Sequence, residues 1–291
     1  MARVLGIGDN TVDIYVDQGV QYPGGNAVNV AVMMHRLGAS AAYLGAVGSD
    51  FLGDLVHDAL EAEGIDLSRL RRTGGGNTWS RIRHDGNDRV FDGSNPTRRD
   101  TYALTDDDYL WMGGFDLAHS SVYSRLEPDL PRLSAACTLL SFDYSSEYTD
   151  EYIARTAPDI DIAFLSASDL DDQGCDRLAR SVAARGPELV VITRGAKGAL
   201  AFEAGRAMHQ PVLPAKVVDT LGAGDGFIAG LLNERLAGGD LAGQLAAGAG
   251  YAARVCEQRG AFGHEIAIRP GQPGLKRPAA NAGKPTIFPT R

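Results

Sequence analysis

From Thr105 onward the chain alternates short apolar runs with helical stretches, and that alternation limits its fold more than any other feature. Leu117 to Ser120, Leu139 to Phe142, Ile162 to Leu165 and Leu189 to Thr193 read as strands, with helical segments between them. Such repetition calls for a mostly parallel central sheet with helices on both faces, because each crossover must return along a face of the sheet. The N-terminal part has the same rhythm. Val4 to Ile7 is a strand closed by Gly8, and Ala42 to Val47 is another. Asn26 to Leu37 and Phe51 to Glu63 are helices, the first with Val28, Val30, Ala31, Met34 and Leu37 on one broad face. Two pieces break the pattern. Thr78 to Arg83 and Arg89 to Phe91 flank the turn-rich His84-Asp85-Gly86-Asn87-Asp88. They predict a small accessory sheet, with strands from about 11–22 and 77–95. Ala199 to Phe202 and Ala207 to His209 predict a hairpin about Gly205, and Phe227 to Leu236 and Leu241 to Arg259 a helical end.

The 291 residues suit one large α/β domain or two small ones; the pattern is read as one domain over 1–268, followed by an irregular or flexible tail over 269–291 rich in Pro and Gly. A formal charge of -9 argues against nucleic acid or an anionic membrane surface as a partner, since both reward basic patches. No apolar run reaches the length of a membrane span. Met1-Ala2-Arg3-Val4 leads straight into a strand without the layout of a signal peptide, which predicts a cytoplasmic protein. Cys137, Cys175 and Cys256 are far apart and have no zinc or redox spacing.

The run Asp219-Thr220-Leu221-Gly222-Ala223-Gly224-Asp225-Gly226-Phe227 carries the chemistry. An extended apolar approach, Leu213 to Val218, leads into it, and a helical segment leaves it. A helix N-terminus has unsatisfied N–H groups and about half a positive charge, so Gly222, Ala223 and Gly224 offer an anion site with little side chain in the way. Asp225 at the same place makes sense as a base. It takes the proton of a substrate hydroxyl while the N–H groups hold the charge of a moving phosphoryl group. A plain helix cap is the competing reading of a G-x-G-D string.

This run resembles the C-terminal signature of the ribokinase-like (PfkB) carbohydrate kinases, D-T-x-G-A-G-D-x-F, at every fixed position. Gly24-Gly25-Asn26-Ala27-Val28-Asn29-Val30-Ala31, followed by Arg36-Leu37-Gly38, resembles the family's N-terminal signature. The resemblance covers roughly Arg3 to Ala261. It implies a ribokinase-like three-layer sandwich in which the accessory sheet is a small β lid over the sugar and builds a homodimer in several members. It implies ATP and Mg²⁺ as cofactors, with a monovalent cation such as K⁺ as a further candidate. By the resemblance Asp225 is the base, with Gly222, Ala223 and Gly224 as the anion hole. Val190 to Gly198 matches the family's nucleotide loop, so Thr193, Gly195, Lys197 and Gly198 are candidates to hold ATP, with Asp219 and Thr220. A turn between strands is the alternative for that loop. Leu165-Ser166-Ala167-Ser168-Asp169 stands where the family often has N-x-x-E, so Asp169 is a candidate to order Mg²⁺ through water, or a helix cap.

Asp9, Asn10 and Asp13 follow the first strand, where open α/β sheets bind ligands. Asp9, Asp13, Gly24, Gly25, Asn26 and Asn29 are therefore candidates for the sugar side, and Arg89 reaches substrate or pairs with lid carboxylates. Ile7 to Tyr15, Gly24 to Val32 and Asn87 to Phe91 further resemble the branch of the family that acts on glycated amino acids, such as fructoselysine at the 6-position. A ketose, another sugar, a nucleoside, or a regulator that binds sugar without turnover are the alternatives. No Walker A loop, protein-kinase motif set, Rossmann glycine triplet, H-E-x-x-H pair or G-x-S-x-G elbow is present.

Overall fold

A computed structural model describes residues 1–85, 88–95 and 103–275. The strands are β1 (Arg3–Gly8), β2 (Thr11–Tyr15), β3 (Val20–Gly24), β4 (Ser40–Gly48), β5 (Arg71–Thr73), β6 (Trp79–Asp85), β7 (Asp88–Asn95), β8 (Leu117–Ser121), β9 (Leu140–Asp143), β10 (Ile162–Ser166), β11 (Leu189–Thr193), β12 (Ala199–Glu203), β13 (Arg206–Gln210) and β14 (Ile266–Ala267). The helices are α1 (Asn26–Arg36), α2 (Phe51–Ala62), α3 (Asp106–Met112), α4 (Leu130–Ala136), α5 (Asp150–Thr156), α6 (Asp172–Ala183), α7 (Ala223–Leu236) and α8 (Leu241–Val255).

The central sheet has nine strands in the order β13-β12-β11-β10-β9-β8-β1-β4-β5. From β11 to β5 every neighbouring pair is parallel, and β12 and β13 close one edge as an antiparallel hairpin. Strand residues alternate between two cores. Ile162, Phe164, Leu189 and Val191 face a core shared with residues of α1, α2, α7 and α8. Ala163, Leu165, Val190 and Ile192 face another shared with residues of α3 to α6. A period of two therefore buries both faces, giving three layers. Among the described residues no helix is long and apolar enough to cross a membrane.

A second sheet has the order β14-β3-β2-β6-β7. Tyr15, Tyr22 and Ile82 of this sheet form a small apolar cluster with Leu221, just ahead of α7. The start of the C-terminal segment joins it. Ile266 and Ala267 pair with Gln21 and Val20, Gln272 exchanges side-chain hydrogen bonds with Gln21, and Arg81 donates to the carbonyl of Leu275. The rest of the tail, 276–291, lies outside the described residues.

The run Leu213 to Val218 forms no strand, and Val212, Leu213, Val217 and Val218 are exposed. Pro211 and Pro214 bracket its start and cannot donate to a ladder, which explains why the sheet ends at β13.

Candidate active site

The parallel strands align their C-terminal ends. Ser121 of β8 stands beside Asp143 of β9, which neighbours Phe164 of β10, and Ser166 stands beside Thr193 of β11. Polar residues therefore gather along one edge of the sheet, where ligands bind in open α/β folds. Two helix N-termini, those of α1 and α7, meet over this edge.

Gly25 caps α1 at φ 111°, and a Cβ there would stand 2.5 Å from the Asn10 Cα. Only glycine lets the helix start this close to the end of β1. The N–H groups of Asn26 and Ala27 point at Asp9, at 2.7 and 3.4 Å from its carboxylate oxygens. The Ser121 and Ser124 hydroxyls donate to Asp9 Oδ1 at 2.8 and 2.9 Å. Burial raises the Asp9 carboxyl above its ordinary range, and these donors oppose the rise. The site places Asp9 as the anchor of α1.

Gly222, at φ 76°, caps α7, and a Cβ on it would reach 2.6 Å from the Ala261 Cβ. The Ala223 N–H donates back to the Thr220 carbonyl at 3.2 Å. The N–H groups of Gly222 and Gly224 have no partner among the described residues, and the space a Cβ on Gly224 would enter is open. That leaves two backbone donors beside open space. Asp225 follows on the first turn. Asn26 Nδ2 donates to its Oδ1 at 2.8 Å, and Asn29 Nδ2 to its Oδ2 at 2.6 Å.

Asn26 Nδ2 also donates to Asp143 Oδ2 at 2.9 Å. Burial first, then the charge of Asp225, pushes the Asp143 carboxyl up to about 7. His119 Nε2 lies 2.9 Å from Asn26 Oδ1, and its Nδ1 lies 2.8 Å from the Ser141 hydroxyl. His119 is 1% exposed, and burial pushes its pKa down to about 3, so the ring is neutral. Asp143 and His119 were not singled out from the sequence. A carboxylate just past the apolar run Leu139 to Phe142 is the same signal that drew attention to Asp9 and Asp13. His119 lies in a strand whose last three residues, His119, Ser120 and Ser121, are all polar, so nothing local sets it apart.

Asp13 lies on β2 with its Oδ2 2.5 Å from where a Gly24 Cβ would stand, and Asn29 Oδ1 lies 3.7 Å from the same point. Asn29 Oδ1 is buried without a hydrogen-bond partner. A buried acceptor of this kind is costly unless something supplies a donor. Arg89 lies on β7, and its side chain falls outside the described residues.

The other candidates sit further along the edge. Thr193 Oγ1 lies 3.1 Å from the Ser166 hydroxyl, and Gly195 to Lys197 form one turn of 3₁₀ helix. A Cβ on Gly195 would enter open space, whereas one on Gly198 would stand 2.1 Å from the Gln210 carbonyl. Lys197 Nζ donates to the Ser168 carbonyl at 2.7 Å, which ties this loop to the exposed segment holding Asp169. Asp219 is buried. It accepts from the Tyr15 hydroxyl at 2.6 Å and from the N–H groups of Leu221 and Gly260 at 3.0 and 3.1 Å, while Thr220 is exposed.

Residues 2–265 match the model of the pfkB family of carbohydrate kinases. The chain belongs to the PfkB family of carbohydrate kinases. As a PfkB kinase it is a phosphotransferase with a sugar hydroxyl as acceptor. The fructosamine kinase FrlD of Bacillus subtilis is 40% identical over 271 residues, 92% of this chain and 95% of that protein. The fructoselysine 6-kinase of Escherichia coli is 34% identical over 262 residues, 90% of this chain and 100% of that protein. The structure of Arabidopsis thaliana ribokinase complexed with ribose and ATP superposes with a TM-score of 0.78 at 21% identity, covering 90% of this chain and 95% of that one. The three layers and small second sheet are thus the ribokinase-like fold expected of a PfkB member.

Proposed function

We propose that this chain transfers the γ-phosphoryl group of ATP to a hydroxyl of a fructosamine, such as the 6-hydroxyl of fructoselysine. One observation carries the reading. Asp225 stands on the first turn of α7 between two donor sets, the unpartnered N–H groups of Gly222 and Gly224 and the amides of Asn26 and Asn29. The amides orient a carboxylate toward an acceptor hydroxyl. The N–H groups suit the charge of the group in flight. Asp225 takes the hydroxyl proton as that oxygen bonds to the γ-phosphorus, and ADP leaves with the electrons of the broken bond. Asn29 Oδ1 and Asp13 beside Gly24 supply acceptors for further sugar hydroxyls.

The likeness to the fructosamine kinase of Bacillus subtilis and the fructoselysine 6-kinase of Escherichia coli supports a fructosamine as substrate. The site's charge supports it too. The donors described for Asp9 and Asp143 are neutral, so a substrate that brings its own ammonium group suits the cleft better than a neutral ketose. Thr193, Gly195 and Lys197 are the proposed nucleotide side, with Gly198 and Asp219 shaping the loops that border it. Mg²⁺ travelling with ATP neutralises phosphate charge. The exposed Asp169 offers one carboxylate, which fits an ion that keeps most of its waters. K⁺ rests on the family resemblance alone, and replacing K⁺ with Na⁺ in the assay decides it. Homodimerisation through the small sheet is part of the same proposal, and light scattering at micromolar concentration tests it.

The deciding experiment is ADP release over a panel of hexoses, fructosamines and nucleosides. A fructosamine is expected to exceed free fructose by more than about tenfold in kcat/KM, the scale of one or two well-made polar contacts. Equal use of both leaves a sugar kinase and removes the fructosamine reading. Asp225→Asn is expected to lower turnover by about 10²–10⁴-fold with the fold intact.

A further inference from the structure

We infer that Asp143 is a positioning residue of the reaction site, which holds the Asp225 carboxylate through the shared Asn26 amide and keeps it basic toward the acceptor hydroxyl. The inference rests on Asp225 being the base.

The geometry begins with one nitrogen. Asn26 Nδ2 carries two protons, and its two carboxylate contacts are Asp143 Oδ2 at 2.9 Å and Asp225 Oδ1 at 2.8 Å. The opposite amide orientation would turn Oδ1 toward both carboxylates. Two carboxylates would repel an oxygen placed there, so they exclude that orientation themselves. With Asn26 Oδ1 facing its Nε2 at 2.9 Å, a neutral His119 donates from Nε2 and accepts at Nδ1 from the Ser141 hydroxyl at 2.8 Å. Asn26 thus aims one NH₂ group at two acids, with its Oδ1 held against His119, which in turn stands on Ser141. The other oxygen of Asp143 accepts the Ser145 N–H at 2.8 Å, so this carboxylate is fixed from its own loop as well.

Two carboxylates bridged by one amide lie close enough to disfavour joint ionisation, and the pair titrates as a unit. The charged and titratable groups facing Asp143 from the surrounding elements are Asp225 of α7, Asp9 beyond β1, and His119 of β8, whose ring is neutral. Tyr123, after β8, has its hydroxyl on Ser145 and stays protonated because burial raises it. No cation among these relieves the repulsion. Asp143 is the member that holds a proton up to about 7, and once it ionises its charge raises the proton affinity of Asp225 and strengthens it as a base.

The test is the pH dependence of kcat/KM for the acceptor sugar in Asp143→Asn, with Asp143→Ser as a second uncharged variant and Asp143→Glu as the rescue. Removing the charge is expected to move the acid limb down by about one pH unit and lower the plateau by about tenfold. Asp143→Glu is expected to return the limb toward its original position. Thermal melts identify which uncharged variant is folded, and either one suffices. An acid limb that stays in place in a folded uncharged variant overturns the inference. So does an unmoved limb accompanied by a raised Mg²⁺ requirement, which would make Asp143 a metal residue instead. Asp225→Asn separates the two levels. If it is inactive and the Asp143 limb does not move, only the role of Asp143 fails. If it stays active, the base assignment fails and takes this one with it.

Discussion

The Tyr15 hydroxyl donates to Asp219 Oδ2 at 2.6 Å, joining β2, the central strand of the small sheet, to the loop that opens α7. Leu221 of that loop also packs with Tyr15, Tyr22 and Ile82. The proposed sugar cover and the proposed anion site therefore share one set of contacts. Tyr15→Phe keeps the ring and removes the hydroxyl. A buried hydrogen bond to a charged group contributes about 1.5–3 kcal/mol, so urea unfolding should show a loss of that order. Turnover should fall with it, because the loop holding Gly222 is less well fixed. Unchanged stability and unchanged kcat would show that Asp219 holds the loop without Tyr15.

Gly222 and Gly224 should respond in opposite ways to the same change. Gly222→Ala meets Ala261 and an unfavourable φ, so it is expected to lose stability and activity together. Gly224→Ala enters open space in a helix and is expected to melt as high as the parent or higher, by up to about 1 kcal/mol. Its KM for ATP should nevertheless rise, since the methyl stands over a free N–H group. Calorimetry and steady-state kinetics on the two proteins settle it. Normal ATP kinetics in Gly224→Ala would place the phosphate elsewhere.

Asp13→Ala removes an acceptor beside Asn29 and Gly24. One lost partner for a sugar hydroxyl costs about 1–3 kcal/mol, so kcat/KM for the sugar should fall by about 5- to 150-fold, tenfold or more for a well-made contact. ATP binding, followed by calorimetric titration, should hold within a few-fold. An equal loss for both substrates would mean that Asp13 supports the fold of β2 and not the sugar.

His119 gives a signature in stability. Its folded pKa lies near 3, below the ordinary value of 6.5, because burial disfavours the charged ring. Between those values the unfolded chain binds the proton and the folded one does not. Stability is therefore lost as pH falls through that window, by at most about 1.4 kcal/mol per pH unit. Asp143 acts with the opposite sign. Its carboxyl is raised, so its contribution is present below its ordinary value of 3.8 and is lost as pH rises toward about 7. Chemical denaturation of His119→Gln and its parent at several pH values isolates the histidine. The difference should shift in favour of the variant as pH falls from about 6.5 toward 4. A difference independent of pH would mean that His119 is charged in the fold.

The layers and the order of most elements could be read from the sequence, because strands with a period of two and helices with a broad apolar face announce themselves locally. The extended approach to α7 was legible too, but not that it stays outside the sheet. Leu213 to Val218 is apolar, but prolines and the end of the sheet leave it without a ladder partner. The Asp225 motif was legible because its glycines and acid are contiguous. Asp9 was legible only as an acid past a strand, since the helix it anchors starts 17 residues further along the chain. Asp143 and His119 acquire meaning only through Asn26, which reaches them from α1 across 117 and 93 residues of sequence. No local pattern encodes such a meeting.

The small sheet is assembled from three distant stretches, with β2 and β3 near the start, β6 and β7 after α2, and β14 beyond α8. Gln21 waits for Gln272, and Ile14 and Trp79 wait for Gly274. On the ribosome, the helices and parallel strands of the large sheet can dock one after another as they emerge. The cover cannot. Its first hairpin is made early and stays unfinished until the last described residues are released, so a stalled or truncated nascent chain would present a nearly complete scaffold with an open, adhesive sheet edge.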